Sequence, residues 1–142
     1  MAKYKIFTSG KMSGLSYEES MGWRREVEKA VLNLTDKKVV FIHPPEYFGF
    51  ENSDLKLARQ WEIKQIASSD IVLMYLPTIK DSIGTHIELG IVEGINRTKE
   101  KKIEIIGIGK PNTDHLWIEE GLSYRADTIQ NAAEIINDFL LI

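Results

Sequence analysis

Cysteine is absent from this chain of 142 residues. That excludes disulfides, thiolate nucleophiles and cysteine-based zinc sites, and it fits a reducing compartment. No apolar run approaches the roughly 20 residues needed to span a bilayer. The opening "MAKYKIFTSG" is too short and too polar for a signal peptide. We therefore expect a cytoplasmic protein with no membrane partner. Basic charge is also in short supply: 18 Lys and Arg stand against 21 Asp and Glu, a net charge of −3. This argues against an extended nucleic-acid surface. The densest basic run, "RTKEKK" (97–102), joins a helix pattern to a strand pattern and reads as a solvated connection. The three histidines, His43, His86 and His115, share no metal-ligand spacing, so no metal site is expected. Repeats, low-complexity tracts and linkers are missing too, which leaves one domain over 1–142.

What is present is an alternation. "YKIFTS" (4–9), "VVFIHP" (39–44), "DIVLMYL" (70–76) and "IEIIGIG" (103–109) read as strands, and a weaker fifth lies near 122–126. Pro44 and Pro45 stop the second strand. The third is apolar throughout, the mark of a strand covered on both sides. Helical patterns fill the intervals. One spans 17–34, with Ser16 and Glu19 spaced as a capping box. A second, over 54–68, places Leu57, Ala58, Trp61 and Ile66 near one face. A third, over 85–97, spaces Ile87, Ile91 and Ile95 four apart. The last begins at Asp127 or Thr128, with Ile129, Ala132, Ala133, Ile136, Phe139 and Leu140 along its face. Such alternation predicts a flavodoxin-like, Rossmann-like three-layer α/β/α fold. Its sheet is five-stranded and parallel, in the order 2-1-3-4-5. Ligands in such sheets bind beyond the carboxyl ends of the strands, where the order reverses. That rule selects the loops Ser9–Ser16, His43–Asn52, Pro77–Gly84 and Gly109–Gly121.

Several familiar motifs fail. "SGKMSG" (9–14) lacks the spacing of a phosphate-binding P-loop. No G-x-G-x-x-G follows the first strand, and there is no G-x-S-x-G nucleophile elbow. Three features remain. The loop of Ser9, Gly10, Lys11, Met12 and Ser13 combines small residues with a cation. Its glycines, Gly10 and Gly14, permit close approach to a ligand or positive φ, or they serve an ordinary turn. Glu88 stands one turn into a helix that starts at Gly84. There a carboxylate is stabilised as the anion. It is either helix-dipole decoration or a nucleophile facing the cleft. Glu62, beside Trp61, is either a surface residue or a second carboxylate for the same cleft. Two carboxylates are what glycosidic-bond chemistry uses, one at the anomeric carbon and one for the proton.

With these residues the chain resembles the nucleoside 2-deoxyribosyltransferase family over nearly its whole length. The matching features are the glycine-bearing first loop, His43-Pro44 after strand 2 and an acid, Glu62, in the helix before "SSD" (68–70). The most specific is "GTHIELG" (84–90). The resemblance implies that Glu88 is the nucleophile, attacking C1′ of the sugar and holding a covalent glycosyl intermediate. It also implies that Glu62 lies near the reacting base and sugar. Ser82, two residues before Gly84, sits where the hydrolytic branch, the deoxynucleoside 5′-monophosphate N-glycosidases, binds phosphate. Ile83, with Asp81 two residues earlier, departs from the transferase pattern and favours a nucleotide substrate. Lys11 and Ser13 suit a phosphate as well. Family sites are completed by a neighbouring subunit, so a homo-oligomer with a shared site is implied. The "HLWIxxG" run (115–121) echoes the segment that crosses, making His115 and Trp117 candidates for it. Trp117 as a core anchor under the last helix is the other option.

The expected function is cleavage or transfer at the N-glycosidic bond of a nucleoside or its 5′-monophosphate. Pro44 joins the binding residues, and Tyr47 and Phe48 flank the base. No cofactor is expected. Two alternatives remain: a non-catalytic module of the same fold holding a nucleotide or ADP-ribose-like ligand, and a flavin-binding flavodoxin-like protein.

Overall fold

The computed structural model describes residues 3–47, 54–76, 83–110 and 116–141. The elements run β1 (Lys3–Ser9), α1 (Tyr17–Leu34), β2 (Lys38–Ile42), α2 (Leu55–Ala67) and β3 (Ile71–Tyr75). They continue with α3 (Ile83–Asn96), β4 (Glu104–Ile108), α4 (Leu116–Gly121), β5 (Tyr124–Ala126) and α5 (Ile129–Ile135). The five strands form one sheet in the order β2-β1-β3-β4-β5, and every pairing is parallel. This is the expected order. It places the reversal of direction between β1 and β3, so a crevice opens beyond their carboxyl ends.

The continuous apolar runs become two half-faces, because successive side chains leave a strand on opposite sides. Ile71 and Leu73 of β3 join Val27 and Val31 of α1 and Ala132, Ala133 and Ile136 of α5. Val72 and Met74 point the other way, to Ile66 of α2 and Leu89 and Val92 of α3. Helix α1 starts where expected. Ser16 Oγ accepts from the Glu19 N–H (3.1 Å), and the Glu19 carboxylate accepts from the Ser16 N–H (3.0 Å). This reciprocal cap fixes the point at which the first loop ends.

The helix faces depart from the sequence reading in three places. In α2 only Ile66 is fully buried, and Leu57 is exposed. In α3 the buried face is Thr85, Leu89 and Val92, and Ile87 is 53% exposed. Ile87 and Ile91 flank a groove against α2, while Ile95 packs against the core beneath the sheet. A helix with two apolar stripes does not itself reveal which one meets the sheet. At the C-terminus a π-helical turn over Ile136–Leu140 inserts an extra residue into the helical period. The phase slips, so Leu141 enters the core and Phe139 faces outward. The short helix α4 falls within the stretch 109–121 that the sequence pattern marks as a loop. Pro44–Glu46 form a single 3₁₀ turn. No helix among the described residues is long and apolar enough to cross a membrane.

Candidate active site

The first loop leaves β1 at Ser9 and is shaped by two glycines. At Gly10 the Trp23 ring occupies the space of a side chain: a Cβ there would lie 2.7 Å from Trp23 Cζ2. Trp23 is in turn stacked on Tyr75 at the end of β3, with centroids 5.0 Å apart. Gly14 has φ +76, a left-handed conformation that glycine adopts without strain. The loop thus folds back over the carboxyl edge of the sheet and forms one wall of a cavity of about 560 Å³. The opposite wall is Glu62 of α2 with Ile83, Gly84, Thr85 and Glu88 of α3. A smaller groove of about 130 Å³ lies between α2 and α3, walled by Ile63, Ile66, Ile87 and Ile91. It shares Glu62, Gly84 and Glu88 with the larger cavity. The two carboxylates therefore stand where the spaces meet.

Burial sets the electrostatics here. Glu88 is pushed up to about 8, first by burial and then by the charge of Glu62. The Ser9 hydroxyl and Arg24 pull in the other direction. Glu62 is also raised by burial, against the opposing pull of Arg24. The expectation that a helix start holds Glu88 as the anion is thus overturned. The dipole effect fades within the first turn, and Glu88 lies beyond it in a helix that begins at Ile83. Burial outweighs it.

The sequence reading missed Arg24, which lies on α1 and is 0% exposed. Its Nη1 donates to the Ser20 carbonyl (2.5 Å) and its Nη2 to the Gly10 carbonyl (3.1 Å). Its guanidinium carbon lies 4.9 Å from the Trp23 ring centroid. Burial lowers its pKa to about 10, while Glu88 and Glu62 act to raise it. A signal was available, because position 24 falls on the buried stripe of Ser20, Met21, Val27 and Val31. Four buried atoms around this site complete no hydrogen bond of ordinary geometry among the described residues: Ser9 Oγ, Arg24 Nε, Thr85 Oγ1 and Glu88 Oε2. Buried polar atoms are normally paired. Their concentration in one place sets this region apart from the core.

Of the residues singled out in the sequence, Gly10, Lys11, Met12, Ser13, Gly84, Glu62 and Glu88 come together around the larger cavity. Ser9 lies just behind them, buried. Pro44 is buried in its 3₁₀ turn and is not in the wall. Tyr47 packs on Trp61, with centroids 4.6 Å apart, and is not among the lining residues. Trp117 is 90% exposed, so it is not a core anchor, and it does not line the cavity. Ser82, His115 and Phe48 lie outside the described residues. Among the described residues no cluster of His, Asp and Glu is placed to hold a metal ion.

Fold and cleft together define a doubly wound α/β/α protein with a cavity at its switch point. Among solved structures, the chain is similar to a conserved protein from Enterococcus faecalis V583, with TM-score 0.72 and 14% identity. That match covers 98% of this chain and 100% of the other. It is similar to the 2-deoxyribosyltransferase of Bacillus psychrosaccharolyticus, with TM-score 0.68 and 16% identity over 96% of this chain and 93% of that one. It is also similar to the Clostridium botulinum CMP N-glycosidase BcmB, with TM-score 0.57 and 16% identity over 96% and 99%. The likeness is one of fold, and it is the fold that the sequence resemblance implied. No protein-family model and no curated protein matches the sequence.

Proposed function

We propose that the protein cleaves or transfers at the N-glycosidic bond of a nucleoside or its 5′-monophosphate. The observation that carries this reading is the meeting of Glu62 and Glu88 in one cavity beneath a glycine-shaped loop. Support also comes from the fold, which is similar to that of a 2-deoxyribosyltransferase and of a CMP N-glycosidase. In the first step the Glu88 carboxylate forms a bond to C1′ as the C1′–N bond breaks, and the departing base takes a proton from Glu62. In the second step water or another base attacks C1′. The bond to Glu88 breaks, and the attacking group's proton returns to Glu62. The raised pKa values of both groups let the pair carry one shared proton, and the first step runs from the form with that proton on Glu62 and the charge on Glu88. Lys11 and Ser13 of the loop, together with Ser82, are the residues that take a 5′-phosphate in this reading. A second copy of the chain completes the site through the segment containing His115 and Trp117.

The test is a panel of nucleosides and 5′-monophosphates, with and without an acceptor base, analysed for free base and exchanged product. Absence of both from every substrate would refute the proposal. A second reading, ligand binding without turnover, draws on the same raised pKa of Glu88, which leaves the carboxyl protonated at neutral pH. It predicts stoichiometric nucleotide binding that survives Glu88→Gln.

A further inference from the structure

Arg24 is unusual among the buried groups of this protein. An arginine taken fully out of water ordinarily contacts a carboxylate, because an uncompensated buried charge is costly. Among the described residues, Arg24 makes no such contact. Two of its nitrogens are used on carbonyls, of Ser20 and Gly10, and its plane lies beside Trp23. Nε remains unpartnered. The carboxylates that feel its charge, Glu88 and Glu62, line the same cavity as Gly10, whose carbonyl it holds.

We propose that Arg24 is a positioning residue for the carboxylate pair: a fixed, buried cation that anchors the Gly10–Gly14 loop at the cavity where Glu62 and Glu88 meet. The inference rests on the reading of Glu88 as the nucleophile. A contact ion pair would occupy the carboxylate oxygens that must reach C1′. A cation held back by two carbonyls and an aromatic ring leaves those oxygens open while still lowering the cost of their charge. The same hydrogen bond to Gly10 couples the charge to the loop, so loop and nucleophile are set by one side chain. The other groups bearing on Glu88 are Ser9 from β1, Glu62 from α2 and Thr85 from its own helix, with Lys11 across the cavity. None of the others is a fully buried cation.

Two variants and two readouts test this. Arg24→Met keeps the bulk and removes the charge; Arg24→Lys keeps the charge and loses the fork. Arg24→Met should move the acid limb of the kcat/KM–pH profile upward by about one unit, with about a tenfold loss of rate below that limb. Arg24→Lys should restore the limb. The substrate-free readout is carbon-detected NMR of the glutamate carboxyl groups, in which the Glu88 titration moves up in Arg24→Met and stays in place in Arg24→Lys. A uniform loss of rate at every pH with an unmoved Glu88 titration would assign Arg24 to structure alone and overturn the proposal. If Arg24→Met does not fold, Arg24→Gln, which keeps a hydrogen-bond donor without the charge, takes its place: a Glu88 titration moved up upholds the proposal, and an unmoved one overturns it. A shifted titration in a protein that cleaves none of the substrates would instead refute the proposed function and leave the electrostatic role of Arg24 standing.

Discussion

Glu88 shows how burial that serves the site makes the charged form of one side chain costly to the fold. Its folded-state pKa of about 8 lies above the ordinary carboxyl value of 4.5. Between those values the folded chain holds a proton that the unfolded chain has released. Stability therefore falls as pH rises through this window, and the contribution is full only below the ordinary value. Glu88→Gln removes the charge that must be buried. The variant should gain stability over the wild type between about pH 5 and about pH 8, by on the order of 1–3 kcal/mol at the upper end. Thermal unfolding across that range checks it, and an unchanged difference between the two proteins would contradict the assigned pKa. The same substitution should lower turnover by about a thousandfold or more, because an amide cannot form the glycosyl ester. Single-turnover assays with the best substrate of the panel measure this. Glu88 was legible because "GTHIELG" follows a buried strand, but its protonation was not. Burial and the company of Glu62 and Arg24 are long-range facts.

The elements carry the site through a few local devices. The first loop depends on Gly10, where Trp23 fills the space of a side chain. Gly10→Ala should displace Trp23 from its stack on Tyr75, destabilise the fold by about 1–3 kcal/mol and weaken substrate binding. Chemical denaturation and KM measure the two effects. A variant as stable as the wild type would mean that the ring shifts freely. The loop's far end depends on the capping box, and Ser16→Ala should cost about 1 kcal/mol of stability while leaving the carboxylates in place. Denaturation together with kcat checks this, and a large loss of kcat with little loss of stability would give Ser16 a role at the site. The cap was legible from the spacing of Ser16 and Glu19, because both partners lie within one turn. The buried face of α3 was not, because Thr85, Leu89 and Val92 compete with an isoleucine stripe of equal period. Only packing against β3 and β4 decides between them. The exposed Phe139 has a similar origin, in a π-helical turn whose phase slip leaves no mark in the residue pattern.

At the scale of the whole molecule, three helices carry exposed apolar side chains. Leu55 and Leu57 of α2, Ile83 and Ile87 of α3, and Leu116 and Trp117 of α4 are all exposed. Exposed apolar residues in such numbers suit an association surface, and the shared-site proposal calls for a second copy of the chain. Sedimentation velocity should find a dimer or larger assembly. Ile87→Glu with Trp117→Ser should dissociate it and reduce activity together with assembly. A fully active monomer at every concentration would refute the shared site.

The order of elements, the parallel sheet and the extent of the first loop follow from local rules, and so the sequence alone determined them: continuous apolar runs for covered strands, a cap for a helix start, glycine where φ is positive. It also determined two carboxylates of the right kind in two separate helices. Whether those carboxylates meet, how far burial raises them, and that Arg24 stands behind them were decided only by the tertiary structure. Dielectric, distance and packing partners are properties of residues brought together from far apart, and no window of the chain contains them.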